Sequence, residues 1–319
     1  MIQCGMIMDP IAAINIHSDT SFALLLAAQQ RGWQLHYFEL PDIFLLNGQI
    51  YGRSRLLRVQ RQEKQWFIFE KEQMLPLNQL NLLLIRKDPP FDANYLVLTQ
   101  LLDRLETQGT LILNRPQALR DCNEKLFATW FADLMPATLV TQQMPLLRQF
   151  HQQQGEIILK PLDGMGGRSV VYLQATDRNA SALIELLTDY GQRFCMAQRY
   201  LPEIQQGDKR LLMVDGQPFP FCLARIPATG ELRGNLAAGG LGEVRPLTAA
   251  DQAIAQKVGP VLKEKGLLFV GLDIIGNYLT EINVTSPTGL QAIEAACPLS
   301  ISGQLFDIIE QQLAHPTPC

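Results

Sequence analysis

Residues 270–289 read VGLDIIGNYLTEINVTSPTG, two largely apolar runs joined by Gly276-Asn277. A Gly/Asn pair between two such runs signals a β-hairpin. On the second run Glu281 and Asn283 stand two residues apart and share one strand face, while Ile282 and Val284 point the other way. Whether Asp273 joins them is a question of parity. A two-residue loop, Gly276-Asn277, pairs Asp273 with Thr280 and sends Glu281 to the opposite face. A three-residue loop, Gly276–Tyr278, pairs Asp273 with Glu281. The longer loop is expected, because a polar face makes sense only if all three groups converge. Opposed carboxylates repel unless a cation or water lies between them. Oxygen ligands of this type suit Mg²⁺ completed by substrate phosphates. The plain alternative is a solvated edge hairpin.

A second hairpin precedes it, with Lys209–Val214 and Gln217–Arg225 flanking Asp215-Gly216. A two-residue turn pairs Arg210 with Phe221, which lies four residues from Arg225, so both arginines project from one face. Fixed guanidinium groups opposite an ion-binding hairpin suit a transferring phosphoryl group, whose oxygens accumulate charge. Ordinary ion pairing to Asp208 is the alternative. Upstream, Ile158–Val170 reads ILKPLDGMGGRSV. Strands are expected at Glu156–Lys160 and Ser169–Leu173, so Lys160 ends a strand, and Gly164, Gly166 and Gly167 form a turn whose backbone can approach a phosphate. It is neither a Walker A loop nor G-x-G-x-x-G, and a simple hairpin turn would read the same. Pro227–Gly242, PATGELRGNLAAGGLG, is too glycine-rich for a regular element. Arg233 sits in its middle, where closure of a lid would deliver a cation. Arg86-Lys87-Asp88-Pro89-Pro90 follows the buried run Leu82–Ile85 at a strand end, where α/β sheets bind ligands. Pro89-Pro90 stiffens that turn and is a candidate cis bond.

The first 120 residues alternate strand and helix signals. Strands are expected at Ile2–Met8, Trp33–Leu40 and Leu111–Leu113, helices at Ser21–Arg31 and Asn94–Glu106, and a hairpin at Asn47-Gly48. That alternation predicts a mostly parallel α/β sheet. From about residue 123 a helix over Asn123–Leu134 and successive hairpins predict an α+β region instead.

The chain has 319 residues, about two domains' worth, of which 47% are apolar and 18% charged, which excludes a disordered chain. A net charge of −4 gives no general footprint for nucleic acid. No apolar run reaches membrane-spanning length, and the N-terminal run is cut by Asp9 without a basic lead. Six scattered cysteines without C-x-x-C suggest reduced thiols in the cytoplasm. Four lone histidines make zinc an unsuitable expectation.

Six blocks, MIMDPIAAINIHSDTS (6–21), IRKDPPFD (85–92), LNRPQALRDCNEKLF (113–127), IILKPLDGMGGRSV (157–170), RGNLAAGG (233–240) and LDIIGNYLTEINVTSPTG (272–289), resemble in order those of bacterial glutathione synthetases, within the ATP-grasp superfamily. The resemblance implies an N-terminal pre-ATP-grasp α/β domain over 1–122 and a two-part ATP-grasp fold. Its small part would be 123–200, and its C-terminal part 201–316 with a lid at 226–243. It implies ATP-dependent joining of γ-glutamylcysteine and glycine through an acyl phosphate, in a cytoplasmic homotetramer that needs no nucleic acid or membrane.

By the same resemblance, Lys125, Lys160, Gly164, Gly166 and Gly167 would contact ATP phosphates. Gln198, Tyr200, Leu201 and Asp208 would hold the rest of the nucleotide, and Asp273, Glu281 and Asn283 would hold Mg²⁺ or Mn²⁺. Arg210, Arg225 and Arg233 would stabilise the transferred phosphate. Asn15, Ser18 and Arg86 would hold the dipeptide, and the Ser286-Pro287-Thr288 turn glycine. Leu241 departs from the pattern, standing where a basic residue is common. The rival readings are another ATP-grasp carboxylate–amine ligase (of the D-alanine–D-alanine type, or a glutamate ligase acting on a protein tail) and an ATP-binding module without catalysis.

Overall fold

The computed structural model describes residues 1–231, 234 and 239–315. In the first unit β1 (Gln3–Met8), α1 (Thr20–Gln30), β2 (Gln34–Phe38), β3 (Ile43–Leu46), β4 (Gln49–Val59), β5 (Phe67–Pro76), β6 (Leu82–Arg86), α2 (Ala93–Glu106), β7 (Leu111–Leu113) and α3 (Pro116–Asp121) build a seven-stranded sheet. Its order is β3-β4-β2-β1-β6-β7, with β5 beyond β4. β1 runs parallel to β2 and β6, and β6 to β7. Every residue of β6 is buried, as a central parallel strand covered on both faces requires. Asp19 caps α1 by accepting from the Phe22 amide at 2.6 Å. The Asn47-Gly48 turn has both residues at positive φ, the geometry a two-residue hairpin favours. The Pro89–Pro90 peptide is cis.

A smaller sheet follows, from β8 (Thr138–Thr141), α4 (Met144–Gln154), β9 (Ile157–Pro161), β10 (Val171–Leu173), α5 (Ala180–Leu187) and β11 (Cys195–Arg199), in the order β10-β9-β11-β8. A third sheet is antiparallel, ordered β14-β13-β12-β15-β16. It comprises β12 (Asp208–Val214), β13 (Gln217–Ile226), β14 (Leu241–Pro246), β15 (Phe269–Ile275) and β16 (Tyr278–Asn283), with α6 (Ala249–Glu264), α7 (Leu290–Ala296) and α8 (Ile301–Ala314). The first and third sheets share two continuous apolar clusters, one joining Ile7, Leu83 and Leu102 to Leu211, Val258 and Ile282, the other joining Phe22 and Leu84 to Leu212, Leu290 and Phe306. The small sheet has its own core around Leu147, Leu159 and Ile184. It therefore stands as a separate wall beside the larger body, and the cleft lies between them. Among the described residues no single helix is long and apolar enough to cross a membrane. α7 and α8 would suffice only together, and they are bent by 113° and pack into the shared core.

Three expectations are corrected. Asn123–Leu134 is not an α-helix: Phe127–Leu134 is 3₁₀, with non-helical angles at Phe131. The Asn123 side chain accepts from the Lys125 and Leu126 amides, at 3.2 and 3.0 Å, a local turn that competes with a regular helical start. The strand expected from Ser169 begins at Val171, because Ser169 has φ +57°. The loop of the acidic hairpin has two residues, with Ile275 paired to Tyr278. A bulge between Asp273 and Ile274 then restores the Asp273–Glu281 pair.

Candidate active site

The acidic hairpin β15–β16 forms one wall. Its ladder pairs Asp273 with Glu281 and Gly271 with Asn283, so the three polar side chains share a face. The neighbouring β12–β13 hairpin brings Arg210 and Arg225 to the same place. Arg210 pairs with Leu223, not Phe221, because the register shifts between Leu211 and Met213. A shift of two residues keeps parity, and both arginines still converge. Gly271 matters here for space: a Cβ on it would lie 2.8 Å from Arg210 Cδ.

Asp273 is the electrostatic centre. Its Oδ1 accepts from Arg210 Nε at 2.5 Å and its Oδ2 from Arg210 Nη2 at 3.0 Å, while Arg225 Nη2 lies 3.0 Å from Oδ2. Arg225 also donates to Asp208 Oδ2 at 2.5 Å, leaving Asp208 Oδ1 buried without a partner among the described residues. Burial works against the charge of Asp273, but the two guanidinium groups overcome it and hold the carboxyl well below the usual range. For Asp208, burial outweighs the pull of Arg225 and lifts the pKa to about 6.

The opposite wall carries two lysines. Lys125 Nζ donates to the Gly164 carbonyl at 2.5 Å and lies 3.3 Å from Glu281 Oε1. Lys160 Nζ donates to the Thr280 carbonyl at 3.3 Å. Both are buried, at 4% and 7% exposure, so their charges are poised in low dielectric. Burial lowers the Lys160 pKa to about 8, with Glu281 pulling upward and Lys125 adding to the fall. Gly166 and Gly167 adopt φ of +64° and +74°, left-handed conformations that let the loop turn over the lysines. Tyr200 packs at a tilt against Tyr172 with centroids 4.6 Å apart, and Gln198 donates to Thr138 Oγ1 at 3.1 Å.

One cleft, with an empty volume of about 1100 Å³ including its mouth, is lined by Lys125, Lys160, Gly164, Gly166, Gly167, Gln198, Tyr200, Leu201, Asp208, Arg210, Arg225, Asp273, Glu281 and Asn283. The sequence reading placed all of these at the nucleotide and ion. The substrate candidates lie outside it. Arg86 donates to the Pro287 carbonyl at 2.9 Å and to Ser21 Oγ at 3.1 Å, and Ser286 Oγ to the Arg86 carbonyl at 3.4 Å. Thr288 Oγ1 lies 3.4 Å from Arg210 Nη1, which joins that turn to the cleft. Asn15 and Ser18 sit on an exposed loop where the Asn15 carbonyl accepts from the Ser18 amide at 3.1 Å. Arg233 lies outside the described residues.

A family model described as "Prokaryotic glutathione synthetase, N-terminal domain" matches residues 2–120, and one described as "Prokaryotic glutathione synthetase, ATP-grasp domain" matches residues 124–297. The chain is 59% identical to the glutathione synthetase of Photorhabdus laumondii over 98% of its own length and 99% of that protein. It is 58% identical to the one from Escherichia coli K12 over the same shares. The chain belongs to the prokaryotic glutathione synthetase family. It is an ATP-dependent ligase. Among solved structures, the ATP-grasp ligase PsnB complexed with minimal precursor, Mg and ADP matches with TM-score 0.63 at 19% identity, covering 97% of each chain. D-cycloserine synthetase DcsG matches with TM-score 0.66 at 14% identity, covering 97% of this chain and 99% of its own. These two likenesses establish the ATP-grasp fold alone.

In this glutathione synthetase family member, Glu124 is among the cleft residues that escaped the sequence reading. Glu124 lines the cleft and its Oε1 accepts from the Val284 amide, the Thr285 amide and Thr285 Oγ1, at 2.9, 3.0 and 2.8 Å. No sequence signal marks it, because its partners, two backbone amides and a hydroxyl, lie about 160 residues away. Leu241, where a cation is common, opens β14 and is 68% exposed.

Proposed function

We propose that the cleft binds ATP as its magnesium or manganese complex and performs the two-step ligation of γ-glutamylcysteine to glycine. The family's activity, ATP-dependent glutathione synthesis, is that of this chain. The single observation that carries the site assignment is the placement of two fixed arginines and two buried lysines around one carboxylate-bearing hairpin. Lys125, Lys160 and the Gly164–Gly167 turn would hold the phosphates. The Gln198–Leu201 segment would receive adenine, with the open oxygen of Asp208 available to a hydroxyl.

The oxygen-only set of Glu281 and Asn283, with Asp273 behind it, fits a hard divalent ion. A cationic group, Lys125 Nζ, already rests against Glu281. Among the described residues no three His, Cys, Asp or Glu side chains form a metal cage by themselves. That accords with an ion completed by nucleotide oxygens. When bound, the ion neutralises phosphate charge. Arg210 and Arg225, with Arg233 from the lid, would neutralise the transferring phosphoryl oxygens without reorganising, because Asp273 already fixes their direction. The dipeptide carboxylate, held by Asn15, Ser18 and Arg86, attacks the γ-phosphate and releases ADP. The glycine amine, received at Ser286–Thr288, attacks the acyl carbon and expels phosphate.

We further propose the units 1–122, 123–200 and 201–316, with the lid at 226–243, on the strength of the three separate sheets. A cytoplasmic homotetramer is proposed with them. The described cysteines, Cys4, Cys122, Cys195, Cys222 and Cys297, are free thiols, in keeping with a reducing compartment.

The test is phosphate release with ATP, Mg²⁺ and γ-glutamylcysteine, using glycine or D-alanine as acceptor. Glycine-dependent glutathione formation is expected. Glu281→Ala and Asn283→Ala should each lower turnover by about 10²-fold or more at unchanged thermal stability. Native turnover in either variant would remove the ion assignment.

A further inference from the structure

The β15–β16 ladder stops at the Gly271–Asn283 pair. Beyond it, two side chains from the first half of the chain take over. Asn114 Nδ2 donates to the Val284 carbonyl at 2.7 Å and to the Phe269 carbonyl at 2.8 Å, and its Oδ1 accepts from the Phe269 amide at 3.0 Å. Glu124 Oε1 takes the Val284 and Thr285 amides and the Thr285 hydroxyl, while the Glu124 carbonyl accepts from the Ile282 amide at 2.9 Å. Both polar groups of the Val284 backbone are thus satisfied by side chains instead of by a strand. Asn114 is 5% exposed and Thr285 5%, so these bonds have little competition from water.

This junction is where the ion-bearing strand becomes the Ser286–Thr288 turn. Nothing in the hairpin itself fixes the exit direction of the chain after Asn283. We propose that Glu124 and Asn114 are positioning residues for the second half-reaction. By clamping Val284 and Thr285 they set where the Ser286–Thr288 turn presents the amine acceptor relative to the carboxylates of β16. The inference rests on the reading that this turn receives glycine. Glu124 suits the task because one carboxylate oxygen collects three donors, each of which would otherwise be left unpaired near the cleft. The nucleotide side has contacts of its own as well, Lys125 donating to the Gly164 carbonyl and Lys160 to the Thr280 carbonyl.

The test compares the native chain with Glu124→Ala, Glu124→Gln and Thr285→Val. Glycine KM, ATP KM, kcat, phosphate released per glutathione formed, and the pH profile of kcat are measured for each. Glu124→Ala is expected to raise glycine KM by about tenfold and to increase phosphate released per glutathione, with ATP KM changed less than about threefold. Glu124→Gln keeps an acceptor oxygen and should restore most of the glycine KM. Thr285→Val removes one of the three donors and should raise glycine KM by a few-fold, which keeps the proposal testable if Glu124→Ala does not fold. An equal loss toward glycine and ATP with a lowered melting temperature would make Glu124 merely structural and overturn the proposal. So would an unchanged glycine KM in Thr285→Val. Glutamine as damaging as alanine, with one limb of the pH profile lost, would overturn it in favour of proton transfer by Glu124. If the native chain formed no glutathione from glycine, the functional reading would fail instead, which the native control separates from failure of the clamp.

Discussion

The cleft proposed to bind the nucleotide and the proposed substrate end of this molecule are assembled by different means. The cleft is made of hairpins, whose alternation places side chains two residues apart on a common wall. The substrate end is made of three loops, near residues 9–19, 86–90 and 284–288, held together by side-chain bonds across the fold. Gln291 reaches the Ile16 carbonyl at 3.1 Å, Asp9 accepts from the Asp88 amide at 2.8 Å, and Arg86 reaches Pro287. The difference teaches that periodicity can be read locally, whereas a loop's position is decided by partners far along the chain.

The largest expected effect breaks the cleft at its centre. Asp273 balances Arg210 and Arg225 in a buried setting, with side-chain exposures of 8%, 7% and 8%. Removing one partner of such a group leaves uncompensated charge, at a cost of about 3–5 kcal/mol. Asp273→Ala should therefore lose stability on that scale in urea unfolding as well as nearly all turnover. A change below about 1 kcal/mol would show that the arginines find solvent or other acceptors, and that the cleft is less closed than described.

That centre also shows how far the sequence could be read. The convergence of Asp273, Glu281 and Asn283 was legible, but for the wrong local reason. A two-residue turn plus a bulge at Thr280, whose hydroxyl donates to the Asp273 carbonyl at 3.1 Å, produces the same offset as the longer loop that was expected. Arg210 and Arg225 survived a wrong pairing because their register error was even. The direct ion pairing of Asp273 with both arginines was not legible, since carboxylates read alone look like ligands and arginines like phosphate clamps. The strand β5 had no readable signal. Its core, Glu70-Lys71-Glu72, is exposed and is a strand only because β4 offers it an edge. The parallel sheet was legible because its central strands are continuous apolar runs bounded by turn residues. Glu124 and Asn114 were silent because their partners lie 155 to 170 residues away along the chain.

A smaller effect sharpens the boundary between the two regions. Arg86 has a buried Nη1 without a partner among the described residues, and burial pulls its pKa down despite Asp19 and Asp88. In the proposed reading that nitrogen takes an acceptor from the dipeptide. Arg86→Lys loses the planar fork that reaches Ser21 and Pro287 together. It should raise the KM for γ-glutamylcysteine about tenfold and leave ATP affinity within about twofold. Equal losses toward both would merge the two regions into one cooperative unit.

The smallest effect concerns proton linkage in the cleft. With no nucleotide present, Lys160 has a pKa of about 8, lowered by burial. A triphosphate beside it favours the ammonium form and raises that value. Binding above pH 8 must therefore take up a proton, and ATP affinity should fall as pH rises from about 7.5 to about 9.5, by at most tenfold per pH unit. The γ-phosphate of ATP is already fully ionised across most of that range, so the ligand contributes little to the slope. Lys160→Arg keeps its charge throughout, and its ATP affinity should be flat over the same interval even if weaker at pH 7. Isothermal titration in two buffers of different ionisation enthalpy would show proton uptake directly in the native chain and none in the variant. A flat native profile would mean that Lys160 stays charged without nucleotide, its burial offset by Glu281. The lysine wall would then be set by the acidic hairpin alone.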